Sequence, residues 1–424
     1  MSFQTAKHST LSKASLLSLL AGVYTTQSLI GMFTLQGLPA VLRSEGVSTS
    51  QIGLFYLAML PWALKFLWAP YVESIRQQGI TLTRHAYLIG LAQTGMLLVL
   101  GAFSFNAVIS DQTLLFVGVL TLALLSTFAD ITTDGLAVDV LPADQRRFGN
   151  VMQVGGAYLG AVFGGGLFIY LTASVSWQNA ILLLMALLLF MSLPTARLFG
   201  KSKTSQPLHP THRPSLKSAL TNPKVTLGLG LVALCQLGTR GVQSMMMPFL
   251  YDHGVELEAL GLLVAGGGII TAFIGIGLSG WLMKKVSAIS MVLVCLALEA
   301  LLYAGFTFYS YSAQITPLTY GLEGLYVLNT VLVAAKFVAL YTLMMDWSYG
   351  DQAGVDFSLF QSMDMLIAML MAMLCGWIIA QFGYQVHYLL TFSVTLCALL
   401  TLYQFHAYQL RLGNKDICHV SEHA

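Results

Sequence analysis

The chain has 424 residues, of which 56% are hydrophobic and 9% are charged, whereas an ordinary soluble domain carries roughly 25% charged residues. So little charge cannot cover a water-facing surface, so the composition excludes a soluble globule and predicts an all-α polytopic membrane protein. The net charge is only +2, from 20 basic and 18 acidic residues, which excludes the strongly positive surface potential that nucleic-acid binding requires.

Runs of about 20 apolar residues predict twelve transmembrane helices. One long polar segment, residues 199–223, is rich in Pro, Ser and charge and separates six predicted helices from six others. We therefore expect a six-helix bundle over residues 1–198, a cytoplasmic linker over 199–223 and a second six-helix bundle over 224–424. The predicted helices span residues 15–41, 51–72, 86–106, 113–138, 149–172, 177–198, 224–250, 258–283, 287–308, 319–344, 357–381 and 385–409.

The basic residues predict the orientation of the chain in the membrane. If the N-terminus is cytoplasmic, sixteen of the 20 Lys and Arg residues fall on the cytoplasmic side and only Arg43 falls opposite. Because short cytoplasmic loops are enriched in Lys and Arg, both termini are predicted to be cytoplasmic. The remaining three basic residues, Lys65, Arg240 and Lys336, lie inside predicted helices.

Similar short segments recur in the two halves at nearly constant spacing. The segment GVSTSQIG at 46–53 resembles GVELEALG at 254–261, and DVLPADQ at 139–145 resembles DWSYGDQ at 346–352. The pattern Asn150-x-x-Gln153 also matches Ser358-x-x-Gln361. These matches indicate a duplicated six-helix unit, and parallel repeats of this kind are typical of major facilitator transporters, whose solute site lies between the halves.

Glycines are concentrated on the fifth and eighth predicted helices. Gly156, Gly160 and Gly164 are spaced four apart, so they form one stripe that lets helix backbones approach closely. In a major facilitator fold the fifth and eighth helices meet, so the glycines are either a rocking surface or static packing.

Ionisable side chains inside membrane helices are expensive and are candidates for function. Lys65 lies on the second predicted helix, and Asp130 and Asp134 lie one turn apart on the fourth. We expect Lys65 to pair with Asp130. The pair is either a structural contact or a proton-coupling site, in which the carboxylates bind and release a proton beside a counter-charge.

A second set of polar residues is expected to contact the solute. Arg240 lies mid-span on the seventh helix, and Lys336 lies mid-span on the tenth. Because these two cations are not repeated in the first half, they predict a site for an anionic solute. The alternative for both is snorkelling to the membrane surface. The complete candidate set is Arg240, Gln236, Lys336, Gln361, Asp364, Tyr24 and Gln27.

Glu299 lies mid-span on the ninth helix, where it is either protonated or paired with a group that the sequence does not identify. The five cysteines have no CxxC spacing and are interpreted as packing residues, so no metal site and no cofactor are predicted. No phosphate-binding GxxxxGK[ST] motif and no recognisable catalytic constellation occur, so we expect a protein that is not an enzyme.

Three longer segments resemble a known family. The segments at 37–73, 129–146 (ADITTDGLAVDVLPADQR) and 345–363 (MDWSYGDQAGVDFSLFQSM) are similar to the major facilitator branch containing AmpG-type muropeptide permeases, acetyl-CoA transporter relatives and RhtX/FptX siderophore permeases. The chain length and the motifs DGLAV and AGVDFSLFQ resemble the siderophore permeases more than the muropeptide permeases. In that branch, Asp130 and Asp134 match the acidic motif of the fourth helix, and Lys65 matches the lysine of the second.

The resemblance implies a bacterial inner-membrane transporter that imports a ferric siderophore by proton-coupled alternating access, with upstream periplasmic or outer-membrane uptake components as partners. The alternatives are a permease for muropeptides or another anionic metabolite, a drug or metabolite exporter, and a non-transporting membrane sensor. The family signature after the second helix is altered in this chain, and Glu73 and Arg76 stand in for its acidic and basic members. The charges assigned to gating are Glu73, Arg76, Asp139, Arg146 and Asp346.

Overall fold

The computed structural model describes residues 13–68, 82–105, 111–140, 152, 155–196, 216–312, 321–348 and 353–421. All regular structure in these ranges is helical. The predicted all-α class is therefore confirmed for the part of the chain that the structure describes.

The first half of the chain contributes six long helices, α1 to α6. Three of them change their helical pitch along their length, because α1 and α5 contain a π-helical stretch and α2 contains a 3-10 turn. A π-helical stretch inside an α-helix is frequent at functional sites. The helices are α1 (Lys13–Met32, Phe33–Gly37 and Leu38–Ser44), α2 (Thr49–Trp68, with the 3-10 turn at Tyr56–Met59), α3 (Leu82–Phe103), α4 (Gln112–Val140), α5 (Gly155–Ser174, with the π-helical stretch at Ala161–Leu167) and α6 (Trp177–Ala196).

The second half also contributes six long helices, α7 to α12, preceded by the short helix Leu216–Thr221. The last two share the continuous range Ala353–Ser421, but Gly383 breaks it with a left-handed φ of 80°. Eleven described helices are long and apolar enough to cross a membrane, and division of the last one at Gly383 gives the predicted twelve. The helices are α7 (Pro223–Asp252), α8 (Leu257–Leu262, Leu263–Gly267 and Gly268–Leu282), α9 (Ala288–Ser312), α10 (Gly321–Trp347), α11 (before Gly383) and α12 (after Gly383).

The turn between α1 and α2 has the same construction as the turn between α7 and α8. Gly46 and Gly254 both have positive φ, 82° and 91°, a conformation that costs glycine little because it has no Cβ. Val47 N donates to Leu42 O at 3.0 Å, and Val255 N donates to Leu250 O at 3.0 Å. These equivalent turns support the repeat predicted from the sequence.

A second feature is shared by the two halves: a side chain at the start of the sixth helix bonds a backbone carbonyl near the end of the third helix. Trp177 Nε1, at the start of α6, donates to Phe103 O at the end of α3 at 2.7 Å. Gln385 Nε2, at the start of α12, donates to Ser310 O near the end of α9 at 3.0 Å. The side chains differ, but each one satisfies a carbonyl that the end of a helix leaves unpaired.

The contacts within the chain divide it into two compact units. Unit 1 contains residues 1–47, 54–213 and 250–269, and unit 2 contains residues 48–53, 214–249 and 270–424. Each unit is therefore built mainly from one half of the sequence, with a short piece from the other. The borrowed pieces are the start of α2 in unit 2 and the residues around the α7–α8 turn in unit 1.

Glycines allow the segments that each unit takes from the other half of the sequence to pack closely. In unit 1, a Cβ on Gly166 of α5 would collide with the backbone of Ala265 of α8, and one on Gly261 of α8 would collide with the backbone of Tyr170. In unit 2, Thr49 Oγ1 of α2 donates to Gly376 O of α11 at 3.1 Å. The predicted meeting of the fifth and eighth helices is confirmed. The π-helical stretch of α5 also contacts a π-helical stretch of α8, Leu263–Gly267.

Candidate functional site

In unit 1, Lys65 of α2 and Asp130 of α4 form the predicted ion pair. Lys65 Nζ lies 3.1 Å from Asp130 Oδ2. The Asp130 side chain is 2% exposed, whereas the Lys65 side chain is 22% exposed, so the cation lies on the more accessible side of the pair. Asp130 Oδ1 has no hydrogen-bond partner among the described residues.

Hydroxyl groups surround this carboxylate along its own helix. Ser126 lies one turn before Asp130 and Thr133 lies one turn after it, and both side chains are buried. Their hydroxyl oxygens, like Asp130 Oδ1, have no partner within the described ranges. This part of α4 therefore carries three buried polar atoms that have no hydrogen-bond partner among the described residues.

Several residues expected at this site or at the cytoplasmic gate lie outside what the structure describes. They are Glu73, Arg76 and Arg146, together with the side chains of Asp134 and Asp139. The remaining gating residue, Asp346, is exposed near the end of α10. Coupling and gating roles for all of these residues stay predictions.

In unit 2, Arg240 of α7 forms a two-pronged ion pair with Asp364 of α11. Arg240 Nε lies 2.9 Å from Asp364 Oδ1, and Arg240 Nη2 lies 2.5 Å from Asp364 Oδ2. Gln236 Nε2 also donates to Asp364 Oδ1 at 2.8 Å, and Arg240 Nη1 donates to Gln243 Oε1 at 2.9 Å. Parallel N–H···O bonds of this kind fix the geometry of a charged pair.

Aromatic side chains of α10 and α11 lie beside this pair. The Arg240 guanidinium lies 5.7 Å from the Phe337 ring centroid, within the range of a cation–π contact. Phe337 stacks on Tyr341 with centroids 4.3 Å apart, and Tyr341 packs edge-on against Phe357 of α11. We name Gln236, Arg240, Phe337, Tyr341, Gln361 and Asp364 the α7–α10–α11 cluster. Gln361 belongs to it because Phe357, Gln361 and Asp364 share one face of α11.

A second ion pair in unit 2 is fully enclosed. Lys336 Nζ of α10 lies 2.7 Å from Glu299 Oε2 of α9, and the two side chains are 1% and 0% exposed. Lys336 Nζ also donates to Cys235 O at 3.1 Å and to the hydroxyl of Thr239 on α7. Lys336, expected to contact solute, is therefore enclosed by protein, and it is the partner of Glu299 that sequence reasoning left open.

The structure corrects the expectation of two free cations in the second half. Arg240 and Lys336 were expected to present two positive charges, but each is neutralised by a carboxylate, Asp364 and Glu299 respectively. Burial of a charge is costly unless a counter-charge or hydrogen-bond partners compensate it, which is the physical reason for the pairing. The two cations are therefore balanced by two carboxylates, and the second half lacks the pair of uncompensated positive charges from which an anionic solute was expected. The charge of the solute stays a prediction.

The two candidates on α1 differ in accessibility. Tyr24 is buried in the core of unit 1, where it packs against Gly156 of α5, whereas Gln27 is partly exposed. Across the described ranges, no group of three His, Cys, Asp or Glu side chains is placed to hold a metal ion.

The Major Facilitator Superfamily family model matches this chain over residues 16–334 and 229–415. These ranges cover nearly all of helices α1 to α12. The chain belongs to the Major Facilitator Superfamily. It is thus a multi-pass membrane protein of a transporter family.

Named relatives point to one branch of the superfamily. The anhydromuropeptide permease of Escherichia coli (strain K12) is 24% identical over 389 residues, which cover 86% of this chain and 76% of the permease. A relative in Rickettsia bellii that carries the name AmpG 1 is 21% identical over 376 residues, covering 85% of this chain and 91% of its own. The predicted resemblance to the AmpG-type branch is therefore confirmed, whereas the nearer relationship to siderophore permeases is not supported.

The fold also matches solved transporter structures. The crystal structure of a bacterial homolog of the human lysosomal transporter Spinster, in an inward-facing and occupied conformation, superposes with a TM-score of 0.69 at 14% identity. The match covers 92% of this chain and 96% of that protein. At this identity, the similarity establishes the major facilitator fold.

Proposed function

We propose that this protein imports a muropeptide or a similar polar solute across the bacterial inner membrane by proton-coupled alternating access. The observation that carries the proposal is the match to an anhydromuropeptide permease over 86% of the chain. The sequence motifs favoured a siderophore as the solute, whereas this relative is named for an anhydromuropeptide, and we propose the latter class.

The α7–α10–α11 cluster supports this solute class. A muropeptide joins an amino sugar to a short peptide, so it presents carboxylates, amides and hydroxyls together. Arg240 and Asp364 supply opposite charges, and Gln236 and Gln361 supply amide groups. A solute carboxylate can compete for Arg240 while a solute N–H competes for Asp364, and the rings of Phe337 and Tyr341 can pack against the sugar.

The Lys65–Asp130 pair is the proposed coupling site. Protonation of Asp130 at Oδ1 neutralises the carboxylate and weakens its attraction to Lys65, so the pair can separate as access changes from one side of the membrane to the other. Asp134 is proposed to assist from the next turn of α4. The termini are proposed to lie in the cytoplasm, in accord with the distribution of basic residues.

Uptake into spheroplasts that lack other permeases tests this proposal. We expect a radiolabelled anhydromuropeptide to accumulate only when the protein is present, and accumulation to collapse with a proton uncoupler. Ferric siderophores, assayed in parallel through their radiolabelled iron, are expected to stay at background. Accumulation of a ferric siderophore without the muropeptide would overturn the proposed solute class and restore siderophore import.

A matched pair of α4 variants tests coupling. Asp130→Asn removes the proton-binding carboxylate, and we expect it to abolish accumulation against a gradient. Asp111→Asn is the control, because Asp111 lies exposed at the start of the same helix, where Oδ1 caps Thr113 N at 3.0 Å and asparagine serves as well. Uncoupler-sensitive accumulation that persists in Asp130→Asn would exclude Asp130 as the coupling site.

A further inference from the structure

The enclosed pair of unit 2, Glu299 and Lys336, has no role in the proposed solute and coupling sites. Removal of two charges from water at membrane depth is costly, and a buried ion pair is by itself weak evidence of stabilisation, because apolar residues of similar volume often serve as well. A purely structural link between α9 and α10 would not need ionisable groups.

The two oxygens of Glu299 are used unequally. Oε2 accepts from Lys336 Nζ at 2.7 Å and from Thr239 Oγ1 at 3.0 Å. Oε1 is buried and has no hydrogen-bond partner among the described residues. A bare buried carboxylate oxygen is unfavourable, but protonation turns it into a neutral hydroxyl. Oε1 is therefore the atom on which a proton can reside while Oε2 keeps its donors.

Other polar groups of unit 2 lie near this carboxyl on α7, α9 and α10. On α9 itself, the buried Tyr303 lies one turn after Glu299. On α12, the equally buried Tyr388 stacks on Phe306, with ring centroids 5.0 Å apart. The remaining groups are Lys336 on α10, Thr239 and Cys235 on α7, and Cys295 on α9.

The enclosed pair and the α7–α10–α11 cluster are held by consecutive residues of the same two helices. On α7, Thr239 bonds Glu299, while the next residue, Arg240, bonds Asp364. On α10, Lys336 bonds Glu299, while the next residue, Phe337, lies beneath the Arg240 guanidinium. A shift of α7 or α10 that loosens one ion pair must therefore move the other.

We propose that Glu299 is a second proton-binding site, whose occupancy controls how firmly the α7–α10–α11 cluster is held for the solute. The proton adds to Oε1 and forms a neutral carboxyl group, which weakens the hold of Oε2 on Lys336. Lys336 then keeps Cys235 O and the Thr239 hydroxyl as acceptors, so α10 is released from α9 but not from α7. The solute role of the cluster rests on the proposed function; the proton-binding role of Glu299 does not.

Infrared difference spectroscopy tests the proton site without any solute. The full chain is reconstituted in phosphatidylethanolamine–phosphatidylglycerol vesicles and titrated with acid, and the protonated-carboxyl stretching band is recorded. We expect one pH-dependent component of this band to vanish in Glu299→Gln. The component should persist in Glu323→Gln, a control that removes a different carboxylate, on the first turn of α10.

A transport assay then separates a coupling role from a structural one. In proteoliposomes, we expect Glu299→Gln to lose about tenfold in proton-driven accumulation of radiolabelled anhydromuropeptide, within the 5–150-fold range typical of coupled sites. Solute exchange without a proton gradient should persist and lose its pH dependence. An equal loss of exchange and accumulation, with a lowered thermal midpoint, would identify the pair as structural and overturn the coupling.

The two tests fail separately. If wild-type protein moves no anhydromuropeptide but the Glu299 band still titrates, the proposed solute is wrong and the proton site stands. If transport occurs but the band is the same in Glu299→Gln and in wild type, the proposed function stands and Glu299 is not a proton site.

Discussion

Asp130 in unit 1 and Asp364 in unit 2 are both buried carboxylates paired with a cation, but different numbers of donors reach them. Asp130 receives one described donor, Lys65, on one oxygen, and its other oxygen has no described partner. Asp364 receives three hydrogen bonds, two from Arg240 and one from Gln236, on both oxygens. The first arrangement leaves one carboxylate oxygen available, as the proposed coupling role requires, and the second holds both oxygens in the fixed geometry of a charged pair.

Removal of Arg240 should give the largest effect, because it leaves Asp364 buried without a cation. Loss of one partner from a buried ion pair costs about 3–5 kcal/mol, so we expect uptake in Arg240→Gln to fall to background. Arg240→Lys should also be strongly impaired, since lysine cannot form the two-pronged contact. Uptake per molecule of membrane-inserted protein is the measurement.

The control for Arg240 is Lys285→Gln, which removes an exposed cation lying 4.9 Å from the Trp281 ring centroid. We expect near-normal uptake in this variant. Normal uptake in Arg240→Gln would show that the Arg240–Asp364 pair is dispensable for the solute, contrary to the role proposed for the α7–α10–α11 cluster.

A pair of glycine variants on α5 should give an intermediate effect. In Gly164→Ala, the added Cβ would collide with the backbone of Leu29 and Phe33 on α1, whereas a Cβ at Gly155 meets nothing within 4 Å. Overpacking typically costs about 1–3 kcal/mol, so we expect Gly164→Ala to lower the thermal midpoint and the uptake rate. Gly155→Ala should leave both unchanged or raise the midpoint slightly. Equal midpoints for the two variants would contradict the close α1–α5 contact.

The smallest effect is expected at the pair that joins α1 to α7 within unit 1. Arg43 Nε lies 2.6 Å from Asp252 Oδ1, and the side chains are 27% and 18% exposed. Partly exposed pairs are screened by salt and contribute about 0.2–1 kcal/mol, so Arg43→Gln should lower the thermal midpoint slightly at low salt and not at high salt. A large decrease that persists at high salt would show that this pair is not screened by solvent.

The sequence predicted those features that depend on local pattern. The twelve helices follow from apolar runs, and the Lys65–Asp130 pair follows from two unmatched opposite charges at similar depth. The partner of Glu299 was missed because Lys336 lies on the neighbouring helix, and hydropathy carries no information on which faces of α9 and α10 meet. One usable signal existed: Arg240, Lys336, Glu299 and Asp364 are two cations and two acids in one half, and complete pairing is the least costly solution in a membrane.

Proton movement caused by the solute is the decisive test of proton-coupled import. Purified protein is reconstituted in vesicles that contain a pH-sensitive dye, and anhydromuropeptide is added outside without an imposed gradient. We predict acidification of the lumen that depends on the solute, is absent in Asp130→Asn and is retained in Asp111→Asn. Entry of radiolabelled solute with no change in internal pH would contradict proton-coupled import.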